Sequence, residues 1–186
     1  MNGVRDVAVL VGSLRKESFT RKLALAMKAI APASLLLEIV EIRDLDLYNP
    51  DLEANVPPPW LEFRARIRRA DALLFTTPEY NRSVPGLLKN AIDVGSRPAG
   101  KSVFEGKPGA VVSNSPGMLG GFGANHHLRQ ALVFLNMPTM QQPEAYIGGV
   151  AELFDADGKF AKESTRLFVE KFLVAFAGWI EITRRK

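Results

Sequence analysis

Three short segments hold the side chains of this sequence that could do chemistry. Gly12-Ser13-Leu14-Arg15-Lys16-Glu17-Ser18-Phe19-Thr20 offers three hydroxyls, a guanidinium and a run of backbone N–H groups where a helix should start. A phosphate monoester carries a charge of roughly −2. Hydroxyl and amide donors, one fixed cation and the positive end of a helix are what hold such a group. The same composition also makes an ordinary capped turn between strand and helix, so from these residues alone both readings stand. The segment lacks the second glycine and GK[ST] ending of a Walker A loop, and it has no GxGxxG. Nucleoside triphosphate hydrolysis and tight dinucleotide binding through those fingerprints are therefore disfavoured.

The second segment is Pro78-Glu79-Tyr80-Asn81-Arg82-Ser83-Val84-Pro85-Gly86. Each proline ring fixes its own φ, so the segment is stiffened at both ends and presents its amides in set positions. The aromatic, amide and hydroxyl side chains between the prolines could lie beside a flat heterocycle and hydrogen-bond its edge. A tight turn that needs no ligand would also use proline and asparagine. In the third segment, Ser113-Asn114-Ser115-Pro116-Gly117-Met118-Leu119-Gly120-Gly121, small side chains would let a ligand approach the backbone, although a mobile loop would look the same.

Elsewhere the candidates are weaker. His126 and His127 are the only histidines. Neighbours on a helix point roughly 100° apart, so they are poorly placed to share a metal, and no cysteine or acidic cluster completes a site. There is no G-x-S-x-G elbow. No side chain stands out for proton transfer, so no catalytic acid or base and no metal ligand is assigned.

The elements that must position these segments follow from hydrophobic periodicity. Strands are expected at Val7–Val11, Leu35–Ile42, Ala72–Thr77, Ala110–Val112 and, briefly, between Thr139 and Ile147. The first helix should start near Ser18 or Thr20, either of which could cap it, and run to about Ile30. Further helices are expected over Trp60–Arg69, from Pro85 to Gly95, over Ala124–Leu135 and over Lys162–Ile182. Arg43–Pro59, rich in proline and aspartate, reads as a long surface loop. In the last helix Phe168, Phe172, Phe176 and Trp179 recur at helical spacing and read as core or subunit contact. Strands alternating with helices call for a parallel sheet covered on both faces. The fold class is therefore α/β, a flavodoxin-like three-layer sandwich with a five-stranded parallel sheet in the order 2-1-3-4-5. That fold binds ligands at the carboxyl ends of its strands, where strands one and three diverge. The loops 12–20, 78–86 and 113–123 all leave those ends.

Composition sets the outer bounds. At 186 residues, 47% apolar and 24% charged, the chain fits one domain over residues 1–186. It has no cysteine, which excludes disulfides, thiolate zinc sites and cysteine nucleophiles and suits a reducing cytoplasm. No apolar run reaches membrane-spanning length, and the first strand begins too early for a signal peptide, so a cytoplasmic location is expected. A net charge of +4 suits small anionic ligands but is mild for a nucleic-acid binder. The run Arg64-Ala65-Arg66-Ile67-Arg68-Arg69 spreads its charges around a helix axis and reads as a solvated face.

Together, GSLRKESFT and PEYNRSVPG resemble the NADPH-dependent FMN reductase family, in particular its branch of quinone and chromate reductases. The similarity runs on through LLKNAID, HHLRQ and QPE and so covers most of the chain. The resemblance implies noncovalent FMN, NADPH or NADH as co-substrate, quinones as acceptors, and assembly as a homodimer or homotetramer. It leaves oxyanions such as chromate open as acceptors; the basic surface would attract them and Arg82 or Lys101 could help, although both read equally well as ordinary surface charges. It implies that Ser13, Arg15, Ser18 and Thr20 surround the FMN phosphate. Pro78, Glu79, Tyr80 and Asn81 would border the isoalloxazine ring, with Asn114, Ser115 and Gly117 closing the other side. The family usually has asparagine where this chain has Thr20, which keeps a hydroxyl and loses the amide. Arg129 and Glu144 lie in segments near the family's subunit contacts, and a pair between them could form across subunits or within one chain. A flavodoxin-like electron carrier without nicotinamide turnover is the alternative; such carriers tend to be acidic, whereas this chain is basic.

Overall fold

Val7, Val9 and Val11 put three β-branched side chains on one face of a five-residue apolar run, which favours a strand buried on both faces. In the structure, a computed structural model describing residues 3–184, that run is the centre of β1 (Arg5–Val11). The other strands are β2 (Leu35–Val40), β3 (Ala72–Thr77), β4 (Gly109–Asn114) and β5 (Ala145–Ile147). All pair in parallel, in the order β2-β1-β3-β4-β5. Val9 lies opposite Ile39 on one side and Leu74 on the other. This is the expected flavodoxin-like order.

Among the described residues five α-helices cover the sheet: α1 (Phe19–Ala29), α2 (Pro58–Arg69), α3 (Gly86–Gly95), α4 (Phe122–Phe134) and α5 (Glu163–Thr183). The pleat divides the core in two. Val7, Val9, Val11 and Leu74 pack with Leu23 and Met27 of α1 and Phe172 and Phe176 of α5. Ala8, Leu10, Leu73 and Phe75 pack with Trp60 and Phe63 of α2, Leu88 of α3 and Leu128 of α4. The expected packing role of the last helix holds: Phe168 and Trp179 lie half-buried against the first of these layers.

Two expectations change. The segment 43–59 is not simply loop, because Pro50–Ala54 forms a short 3-10 helix and α2 already begins at Pro58. Proline lacks the N–H that would be orphaned at a helix start, so it is tolerated there. This stretch is also moored: buried Asn90 accepts from Tyr48 N at 2.7 Å, and its amide donates to the Leu45 and Asp46 carbonyls.

The arginine run is the second change. Arg64, one turn after Trp60, is buried beneath α3, donates from Nε to Val94 O at 2.9 Å and lies over the Trp60 ring. Arg66 grips both carboxylate oxygens of Asp6, at 2.7 and 3.0 Å, and reaches Glu38 at 3.0 Å. Arg68 and Arg69 are the pair that face solvent.

The amino edge of the sheet is tied by ion pairs. Besides Asp6–Arg66–Glu38, Arg5 bonds Glu181 at 2.6 and 3.0 Å, and Arg184 lies 3.3 Å from Asp71. Among the described residues no helix is long and apolar enough to cross a membrane.

Candidate functional site

The carboxyl edge is built differently. β1 is followed by Gly12, whose amide donates to Thr76 O at 2.8 Å. A Cβ there would come within 3.2 Å of Pro78 Cδ and Thr77 Oγ1, so glycine lets the ends of β1 and β3 close together. Ser18 then adopts an extended conformation and its Oγ accepts from Arg21 N at 3.1 Å, capping α1 and leaving its own O–H to donate. A helix's first amides have no intrahelical acceptor; with that of Arg21 satisfied, those of Phe19 and Thr20 remain for a ligand.

Nine of the eleven residues expected at the site line one cavity of about 110 Å³. Ser13, Arg15, Ser18 and Thr20 come from the first loop, Pro78, Glu79 and Tyr80 from the second, Asn114 and Ser115 from the third. Asn81 and Gly117 do not line it. Sequence reasoning missed Phe19, Pro116 and Val150, which also contribute to its wall. Phe19 and Pro116 sit inside the segments already singled out, while Val150 gives no local signal.

Thr20 and Glu79, both lining the cavity, also have work inside the protein. Thr20 is buried and donates its hydroxyl to Asn114 Oδ1 at 2.9 Å, joining the first loop to the third. Its first-turn amide is what it turns toward a ligand. Glu79 Oε2 accepts from Ala124 N at 3.0 Å, so its negative charge sits at the positive end of α4, with Arg82 Nη1 3.9 Å from its other oxygen.

The second loop is a rigid turn. Tyr80 and Ser83 exchange backbone bonds of 3.1 and 3.0 Å around Asn81 and Arg82, whose φ angles are 51° and 65°. Positive φ at both central positions makes this a type I′ turn, with Asn81 suited to it and Arg82 less so. The Tyr80 ring is half exposed beside it.

The third loop is tied to β5 and to its own backbone by hydrogen bonds. Ser115 N donates to Ile147 O at 3.0 Å, Val150 N to Ser115 O at 3.2 Å, and Ser115 Oγ to Gly117 O at 2.9 Å. Gly120, with φ 60°, lies so close to β5 that a Cβ would be 2.5 Å from the Tyr146 carbonyl carbon.

Beyond this loop Phe122, His126 and Tyr146 form an aromatic group, with His126 Nε2 and Tyr146 Oη 3.0 Å apart. Burial, reinforced by a hydrogen bond with Glu144, pushes the Tyr146 phenol up to about 12. His127 faces elsewhere, with Nδ1 3.0 Å from Ser83 Oγ. The two histidines thus diverge, as adjacent helical residues must. Arg129 donates to Asn125 Oδ1 and Met140 O, both at 2.8 Å, and forms no ion pair with Glu144 within the described chain.

The donor set fits a phosphomonoester. Two serine hydroxyls, two free first-turn amides and an exposed guanidinium converge, and the cavity's one carboxylate is directed into α4. The rigid Pro78–Tyr80 stretch faces Asn114 and Ser115 across the same crevice and offers edges for a flat ring. This is the point where β1 and β3 leave for opposite sides of the sheet.

The profile of NADPH-dependent FMN reductases matches residues 5–152. A quinone reductase of Pseudomonas putida is 63% identical over 185 residues, spanning 99% of each chain. A 2-hydroxy-1,4-benzoquinone reductase of a Burkholderia species is 43% identical over 178 residues, 96% of this chain and 97% of that one. Among solved structures, a flavoenzyme NAD(P)H:(acceptor) oxidoreductase from Paracoccus denitrificans superposes with a TM-score of 0.92 at 44% identity, covering 97% of this chain and 99% of its own.

Proposed function

The chain belongs to the NADPH-dependent FMN reductase family, and on that premise we propose that it is a quinone reductase holding FMN noncovalently across the carboxyl edge of the sheet, with NADPH or NADH as donor. The observation that carries the assignment of the site is the convergence of three sequence-distant loops on one donor-rich cavity. Bound FMN supplies a ring that accepts a hydride from nicotinamide and gives it up to an acceptor.

The residues bind and orient. Ser13, Ser18, Arg15 and the amides of Phe19 and Thr20 hold the phosphate. Pro78, Glu79 and Tyr80 border the ring on one side and Asn114 and Ser115 on the other, with Asn81 and Gly117 near them in the chain but outside the cavity wall. The hydrogen bond between Thr20 and Asn114 sets the spacing of the two halves. No side chain of the site is assigned a proton-transfer role.

Oxyanions such as chromate form a second proposed class of acceptor, drawn by the net positive charge, Arg82 and Lys101 included. We also assign a homodimer or homotetramer, supported by the exposed Val133 and Phe134 beside a cavity of about 540 Å³ between α3 and α4, and a cytoplasmic location. Purified protein should be yellow, release FMN on denaturation and oxidise NADPH when a quinone is supplied. A colourless protein that cannot be reconstituted with FMN would sink the assignment. A yellow one indifferent to NADH and NADPH would make it an electron carrier.

A further inference from the structure

A second cavity, of about 360 Å³, lies on the other side of the first loop, between the carboxyl ends of β1 and β2. Ser13 and Arg15 line both cavities, so the two share a wall. Its floor is apolar, formed by buried Val11, Val40 and Ile42. Its rim carries four cations, Arg15, Lys16, Arg21 and Arg43, against one carboxylate, Glu41.

That carboxylate is already taken. Arg21 grips both Glu41 oxygens, at 2.5 and 3.2 Å. Arg15, Lys16 and Arg43 have no carboxylate within 4.0 Å among the described residues. Arg43 Nη2 instead reaches the Leu14 carbonyl at 3.4 Å, which keeps its guanidinium against the first loop. With Arg15 given to the FMN phosphate, the rim keeps two uncompensated positive charges, Lys16 and Arg43, over an apolar floor. An adenosine that carries an additional phosphate matches that pairing, with the base on the floor and the phosphate at the rim. In nucleotide sites built at the end of a second strand, a free acid accepts from the ribose hydroxyls of NADH, and a cation takes the 2′-phosphate of NADPH. Here the acid is neutralised and the cations are left over.

We propose that this cavity receives the adenosine 2′-phosphate end of NADPH, with Lys16 and Arg43 meeting the phosphate, and that it makes NADPH the preferred donor. The proposal rests on the reading of the neighbouring cavity as the FMN site.

The test uses the FMN-loaded protein. Calorimetry with adenosine 2′,5′-bisphosphate should show binding that 5′-AMP and inorganic phosphate do not match. The double variant Lys16→Ala/Arg43→Ala should weaken that binding about tenfold, two exposed charge contacts being lost together. KM for NADPH should rise by a similar factor, with kcat, KM for NADH and FMN content unchanged. Equal binding of 5′-AMP or of inorganic phosphate would overturn the proposal, as would an unchanged ratio of the two KM values. If FMN and NADH-driven quinone reduction persist in that case, this inference alone fails; if the wild-type protein takes up no FMN, the underlying site assignment fails with it.

Discussion

Arg15 stands on the wall between two cavities, exposed and without a carboxylate partner among the described residues, so its charge is available to a ligand. Arg15→Ala should cost about 1.5 kcal/mol of FMN binding, the lower end for a charge-assisted hydrogen bond because the group is solvated. A fluorescence titration of apoprotein should therefore show roughly a tenfold rise in Kd; an unchanged Kd would mean that the arginine faces solvent. Tyr146 makes a prediction about alkali. Its phenol is raised from 10.0 to about 12, chiefly by burial, so between those values the unfolded chain loses the proton while the folded one keeps it. Stability must fall as pH rises through that window. Denaturant midpoints should show a smaller alkaline loss in Tyr146→Phe than in wild type. At this scale the sequence revealed side chains by type, including the Ser18 cap. It could not reveal that Thr20 is spent on Asn114, 94 residues away, or Glu79 on Ala124, 45 away, because nothing local marks those partners.

The strands were readable because each is an apolar run bounded by turn residues, and their order followed from the alternation with helices. Their ends were less clear. β2 stops at Val40 although Glu41 and Ile42 continue the apolar alternation, and their positions line the second cavity instead. The stretch after it was opaque because its order comes from Asn90, on a helix 42 residues beyond Tyr48. Two contacts between elements can be tested directly. Thr20→Val removes the donor to Asn114 and leaves a buried acceptor unpaired, which should cost about 1–3 kcal/mol in chemical unfolding, with Thr20→Ser recovering most of it. Gly120→Ala forces a Cβ into the backbone of β5 at positive φ and should cost about 2–4 kcal/mol. Full retention of stability in that variant would show that the third loop can lift away from β5.

Across the whole molecule the parallel sheet separates two kinds of residue. Ion pairs gather at the amino edge, where Asp6, Arg66, Glu38, Arg5 and Glu181 tie strands to helices, and the loops that line the candidate cavity gather at the carboxyl edge. FMN bound at the latter should stabilise the entire fold by mass action. At one hundred times Kd the gain is about 2.7 kcal/mol. For a chain of this length that corresponds to a rise in Tm of several degrees, of order 5–10 °C, and Arg15→Ala should shrink the rise in melts at fixed FMN. The same polarity has a practical consequence for attaching the protein to a surface. With no native cysteine, one thiol introduced at Arg69, exposed at the amino-edge end of α2, would be chemically unique. Coupling through it to a bead or an electrode would orient every molecule alike, with its reactive face turned toward the solution.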